Sequence, residues 1–475
     1  MRVRRSPHRT TLSQILREFT LWRILLHTRT GDKLGEIRVG GRGLTALSPI
    51  SRSGRGIISG SLWGMGDQAL ISATNFLTLI LTARAVNPAA FGGFALVYTA
   101  LLFANSLQFA LITQPHNVLA KVANRSDYIL YTSATAASQL AFSAALTALV
   151  ISAAILAQLK GGALAPVLWA AGPALFAWQL QDFCRRVLYT EGRLSAAFVN
   201  DLISYGGQAA LSLVLWRALL LNGSTALYAV AATSTAAVVF GVIQLRRSLV
   251  ARFHWPSVQR NWRFGKWLGV VPAYWLGAQA YMYLAAAVSG VAAAGALKAA
   301  QVLMGPLHLI FAAFESILPI RFAAVFNTNG KAALSRMLRD TYMLSTPIVV
   351  GYALAVTLLG ERLMRFFYGA KYVKYAYVVP IFAAYYILLY AATVVSAAIR
   401  AMRRTEIIFK GYAVAAVVAV GSGLIGSVAL GPIGAVVGMA TGALSLLYLF
   451  ARFYRGIGSE AAPGRAAGPQ EISAG

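Results

Sequence analysis

An all-α, polytopic membrane protein is the fold class this sequence predicts, and three observations predict it. The 475-residue chain is 58% hydrophobic and only 12% charged, a balance that does not suit one water-soluble domain, yet its formal net charge is +28. Its apolar residues fall in about twelve runs of roughly 17 to 28 residues, each long enough at about 1.5 Å per residue to cross a hydrocarbon core of ~30 Å. Its lysines and arginines gather in alternate gaps between those runs, which reconciles the charge with the hydropathy and sets an orientation.

The first six spans are Ile57 to Ala83, Phe91 to Thr113, Ile129 to Leu156, Leu164 to Phe183, Ala197 to Trp216 and Ala226 to Leu245. The second six are Trp267 to Val288, Ala293 to Ile320, Tyr342 to Leu359, Tyr377 to Ile399, Tyr412 to Leu430 and Ile433 to Phe450. If Met1 is cytoplasmic, that side holds the basic leader, Arg125, Arg193, the stretch Arg246 to Lys266, Arg336, Arg404 and Arg455. The opposite side keeps Arg84, Lys160, Arg217 and a small group around Lys371. A bias of roughly five to one places both termini and the 246–266 loop in the cytoplasm, and it supports an even number of spans.

Five segments follow. Residues 1–56 form a basic leader in which Leu12, Ile15, Leu16, Phe19, Trp22 and Leu26 recur at helical spacing, the pattern of an amphipathic helix on an anionic leaflet. Residues 57–245 and 267–453 are two six-helix lobes, joined by the basic cytoplasmic loop 246–266. Residues 454–475 are a small, Gly/Pro-rich tail expected to be disordered. The lobes share faint similarity: Ala85, Val86 and Gly93 recur as Ala287, Val288 and Gly295, which suggests a parallel repeat about an axis along the membrane normal. The one cysteine, Cys184, can form no disulfide within the chain, and no His/Cys group has zinc spacing.

Ionisable and amide side chains inside the spans are costly there, so they nominate the functional site. In span 8, Lys298, Gln301, His308 and Glu315 fall within an arc of roughly 100° and form one polar stripe, past Gly305 and Pro306 where the helix can kink. Span 1 adds Asp67, Gln68 and Asn75, span 2 adds Asn105 and Gln108, and span 7 adds Gln279. Asp67 lies roughly 15 Å deep, too deep to snorkel, and must be hydrated, paired or protonated. It lies at about the depth of His308, so a cavity between the lobes could bring the two together as a proton carrier. The competing reading is that each merely bonds a neighbouring helix. Asp182, Arg185 and Arg186 read as an interfacial ion-pair cluster within reach of Asp201, and the row Trp267, Tyr274 and Tyr281 as anchors or core.

Three runs carry a resemblance: NFLTLILTARAVNPAAFGGFALV from Asn75 to Val97, GPLHLIFAAFESILPIRFA from Gly305 to Ala323, and FFYGAKY from Phe366 to Tyr372. In these the chain, from about Ile57 to Phe453, resembles polysaccharide flippases of the multidrug/oligosaccharidyl-lipid/polysaccharide exporter superfamily. The resemblance implies two six-helix lobes, alternating access, and export of a lipid-linked oligosaccharide across a bacterial inner membrane. It implies membrane lipids and a polysaccharide polymerase as partners, and neither a cofactor nor nucleic acid. A drug or cation antiporter of the same superfamily is the alternative. A membrane-embedded polymerase or ligase is a third reading, but it needs catalytic groups on a large outer loop, and the outer loops here are short.

Overall fold

The computed structural model describes residues 53–120, 124–250, 254–266, 268 and 270–456, so almost all of the leader and the tail lies outside the described residues. These residues form helices throughout, with no strand among them. In a bilayer this is the expected outcome, because a helix satisfies every backbone N–H and C=O within one segment. The protein is all-α and polytopic.

The N-terminal part comprises α1 (Ser53–Ala85), α2 (Pro88–Gln108), α3 (Arg125–Leu159), α4 (Ala165–Thr190), α5 and α6 (Gly223–Leu245). The α2 helix passes through a π-helical turn, Phe109–Thr113, and continues as Gln114–Leu119. The α5 helix runs as Leu194–Asp201, a π-helical turn at Leu202–Gly206, and Gly207–Arg217. Sharp local starts define these elements. Asn87 and Asn124 accept from the backbone N–H groups of Ala90 and Asp127, and Asn222 with Thr225 forms a reciprocal cap, so donors that a helix start leaves orphaned are satisfied.

The amphipathic α7 (Trp255–Gly265) follows and docks on the N-terminal part through Asn261, which bonds Tyr131 and donates to Thr135 Oγ1 at 3.0 Å. Next come α8 (Val270–Ser289), α9 (Val291–Val302), α10 (Gly305–Leu358), α11 (Gly360–Tyr368), a short turn Ala370–Val373, α12 (Val379–Ala401), α13 (Thr405–Leu430) and α14 (Pro432–Gly456). The α10 helix is broken at Gly330, whose φ of 71° and ψ of −171° no helix contains. Expected spans 8 and 9 therefore meet inside one long element, and span 8 itself is split: α9 ends at Val302 and α10 starts at Gly305–Pro306.

Seven described helices are long and apolar enough to cross a membrane, among them Arg125–Leu159, Gly223–Leu245, Glu406–Leu430 and Pro432–Gly456. Their outward faces carry bare aliphatic side chains such as Leu149, Val417, Ile425 and Val428, which lipid covers at no cost.

The α4 helix packs on α3, α2 and α6, while α12 packs on α10 and α14, and α13 on α14 and α8. Between the two sets, α2 lies against α9 and α8. The α2–α9 crossing is backbone on backbone: a Cβ added at Gly92 would sit 1.9 Å from Val291 O, and one at Gly295 would sit 2.2 Å from Pro88 O. Only glycine permits that approach. Asn87 and Gly290 are the N-caps of the two helices, and Gly92 and Gly295 stand at the same distance from them. The repeat therefore aligns Gly295 with Gly92, one residue from the match to Gly93 expected from the sequence.

Candidate functional site

The interior of the N-terminal helices is ionic. Arg185 on α4, only 7% exposed, stands among three carboxylates from three helices: Asp182 Oδ1 on α4 at 3.1 Å, Asp201 Oδ2 on α5 at 3.2 Å and Asp67 Oδ2 on α1 at 4.0 Å. Arg186 Nε lies 3.5 Å from Asp182, Gln181 Nε2 donates to Asp201 Oδ1 at 2.6 Å, and the Tyr189 hydroxyl donates to Asp67. Around this core, Trp178 Nε1 donates to Tyr205 Oη at 2.9 Å and Tyr98 stacks on Trp178. The expected ion-pair cluster forms, with Arg185 buried and Asp182 and Arg186 half-buried, and Asp201 joins it as expected. Planar, five-donor arginine is the cation that can serve several carboxylates at once, and three acids facing two arginines leave a formal deficit of one positive charge.

The interior of the C-terminal helices is aromatic and nearly neutral. Lys298 and Gln301 on α9 are buried, and the ammonium donates to Gln301 Oε1 at 3.0 Å; among the described residues no carboxylate pairs with it. His308 Nε2 on α10 shares a 2.7 Å hydrogen bond with Tyr386 Oη on α12, and Tyr386 in turn stacks on Phe311 with ring centroids 6.1 Å apart. Phe382 packs edge-on against Tyr281, and Tyr390 meets Tyr342, Phe314 and the hydroxyl of Ser345. Phe382, Tyr386 and Tyr390 recur at fourfold spacing on one face of α12. That spacing was the signal available in the sequence, but within a continuous apolar run it reads as ordinary span.

The remaining candidates distribute as follows. Asn75 accepts from Tyr98 Oη at 3.1 Å, and Gln108 donates to Gln179 O at 2.9 Å, so both knit helices together. Asn105 and Gln279 each present a buried side-chain oxygen with no hydrogen-bond partner among the described residues. Gln68 and Glu315 are exposed. Asp67 and His308 do not meet: Asp67 is held by Tyr189 beside Arg185, and His308 by Tyr386. The expected stripe is divided by the break at Leu303–Met304, which leaves Lys298 and Gln301 on one helix and His308 and Glu315 on the next. Of the aromatic row in span 7, Tyr281 is core, while the side chains of Trp267 and Tyr274 lie outside the described residues.

Between α1 and α9–α11 runs an apolar groove of about 320 Å³, lined by Phe76, Leu303, Pro306, Tyr352, Leu363 and Phe367. Its one polar group, the Tyr352 hydroxyl, is spent on Leu303 O at 2.7 Å. At one end of the molecule Lys371 donates to Arg84 O and Val86 O, and Arg84 Nη1 to Phe366 O at 3.2 Å, tying the end of α1 to the α11 region.

No family model and no curated protein matches the chain. Solved structures do. An inward-facing multidrug-resistance MATE family transporter of the MOP superfamily superimposes with a TM-score of 0.65 at 15% identity, over 80% of this chain and 94% of that one. The lipid II flippase MurJ in an inward closed conformation gives 0.62 at 16% identity, over 83% and 87%. An outward-facing MATE transporter of the same superfamily gives 0.59 at 14%, over 84% and 94%. The chain has the fold of MOP-superfamily transporters, as the resemblance in its sequence implied.

Proposed function

We propose that the protein is a transporter that moves a lipid-linked oligosaccharide across a bacterial inner membrane by alternating access of two six-helix lobes, residues 57–245 and 267–453, with both termini cytoplasmic. The observation that carries this reading is Lys298, a buried ammonium with no acidic partner among the described residues. A cation held in low dielectric without a counter-ion is costly, and an anionic substrate such as a diphosphate repays that cost. Two further features suit such a substrate. The amide oxygens of Asn105 and Gln279, without a hydrogen-bond partner among the described residues, can accept from sugar hydroxyls. The groove between α1 and α10 is apolar enough to keep a lipid tail in contact with hydrocarbon.

On this reading the sealed α2–α9 crossing and the Lys371 clasp close the periplasmic side, so the state is inward-facing. MurJ and the MATE transporters share the fold, and the first is a lipid II flippase by name. The second reading, a cation or drug antiporter, is favoured by the acid excess around Arg185. The two separate in proteoliposomes. The protein should move an undecaprenyl-diphosphate-linked sugar and not a cationic dye, and Lys298→Ala should lower the rate at least ~10-fold at unchanged abundance. Dye transport with no movement of the lipid-linked sugar would establish the antiporter instead.

A further inference from the structure

At the end of the N-terminal helices marked by Arg125, Glu191 and Arg246 lies an open cleft of about 830 Å³, distinct from the groove and the buried clusters. It is built where α3 starts, α4 passes into α5 and α6 ends. Four arginines, Arg125, Arg193, Arg246 and Arg247, line it against one acid, Glu191.

The acid is consumed by the protein. Its Oε1 accepts from Ser248 Oγ and, at 3.2 Å, from Tyr128 Oη, and its Oε2 accepts from Arg193 Nη1 at 3.1 Å. Burial pushes the Glu191 carboxyl up, but those hydrogen bonds and the Arg193 charge outweigh it and hold it below the usual carboxylate value. Two of the four arginines are also committed. Arg125 Nη2 donates to Arg247 O at 3.0 Å and Ser248 Oγ at 3.1 Å, and Arg193 Nη1 also to Gln244 O at 2.9 Å.

Arg246 and Arg247 are different. Both are exposed, and among the described residues neither guanidinium has a hydrogen-bond or ion-pair partner. They stand on a scaffold pinned by the Glu191 network. Beside the arginines the cleft is lined by Ile243, which is 54% exposed, and the adjoining residue of α6, Val242, is 50% exposed.

We propose that this cleft is a binding site for the phosphate-bearing headgroup of an anionic membrane lipid, with Arg246 and Arg247 as its phosphate ligands and Ile243 beside its acyl chains. Arginine forks match phosphate oxygens two at a time, and a basic pocket between helices at the membrane boundary is where an anionic headgroup reaches. A free phosphorylated solute offers the same oxygens, but it has nothing to place against Ile243 and Val242.

The test compares retention of phosphatidylglycerol and phosphatidylcholine by the full-length protein from mixed micelles, read by native mass spectrometry. The parent should prefer phosphatidylglycerol, and Arg246→Gln with Arg247→Gln should weaken that preference roughly tenfold or more. A charge-matched control, Arg403→Gln with Arg404→Gln, should leave it intact. Equal loss in both double variants would overturn the site in favour of diffuse surface charge. The parent alone gives a second, independent reading. Millimolar inorganic phosphate should displace little phosphatidylglycerol, and complete displacement by phosphate would overturn the lipid assignment whether or not the variants fold.

Discussion

The interiors of the two sets of helices use opposite chemistry. Inside α1–α6, charge is met by charge, with Arg185 bonded to Asp182 and Asp201 and within 4.0 Å of Asp67. Inside α8–α14, charge is sparse, and the one buried cation among the described residues, Lys298, hydrogen-bonds an amide rather than an acid, while tyrosine and phenylalanine fill α12's face. A paired buried cluster is held by its own members and is costly to break, whereas an unpaired cation is poised to meet something else. On the proposed function, the first interior serves internal cohesion and the second contact with an anionic substrate.

The largest expected effect breaks the comparison outright. Arg185→Met removes the cation shared by three carboxylates and should cost about 3–5 kcal/mol, read as lost abundance and a lowered melting temperature in detergent. Lys298→Met removes a cation that no described acid needs, and should leave both readouts nearly unchanged. Equal destabilisation by the two would erase the distinction.

A smaller effect is expected where the two sets touch. Gly295→Val places side-chain carbon where Pro88 O already stands, and should destabilise this closed crossing by about 1–3 kcal/mol, the usual cost of overpacking. The melting temperature in detergent should fall in Gly295→Val and in Gly92→Val alike. An unchanged melting temperature in both would show that the helices do not meet through Gly92 and Gly295.

The smallest effect concerns Glu191, whose pKa is depressed in the folded protein. A depressed carboxylate contributes stability fully above its unfolded value, and that contribution is lost as pH falls through the folded one. The melting-temperature gap between the parent and Glu191→Gln should thus be constant from about pH 5 to 8 and close below about pH 4. A gap that widens in acid would show that the carboxylate is not held in its charged form.

These assignments were unequally legible in the sequence. The helices were readable because a span needs only apolar length, and the pause at Gly305–Pro306 announced the break that separates α9 from α10. Asp67 was readable as a residue that must be paired, but its partners were not, since Tyr189 and Arg185 lie on a helix far along the chain and hydropathy carries no information on which helices touch. The placement of His308 against Tyr386 was hidden for the same reason. The repeat was visible yet displaced by one residue, because alanine-rich helices align almost equally well in adjacent registers; the caps Asn87 and Gly290 supply the correct one.

The division of labour itself is tested most directly by transport of an undecaprenyl-diphosphate-linked sugar into proteoliposomes, with and without an imposed pH gradient, for the parent, Lys298→Met and Asp67→Asn. The account predicts that Lys298→Met slows transport at least ~10-fold under both conditions, and that Asp67→Asn, where it folds, still moves the lipid-linked sugar. The converse result, in which Lys298→Met transports normally while Asp67→Asn binds and moves no lipid-linked sugar, would place the substrate among the N-terminal carboxylates and contradict it.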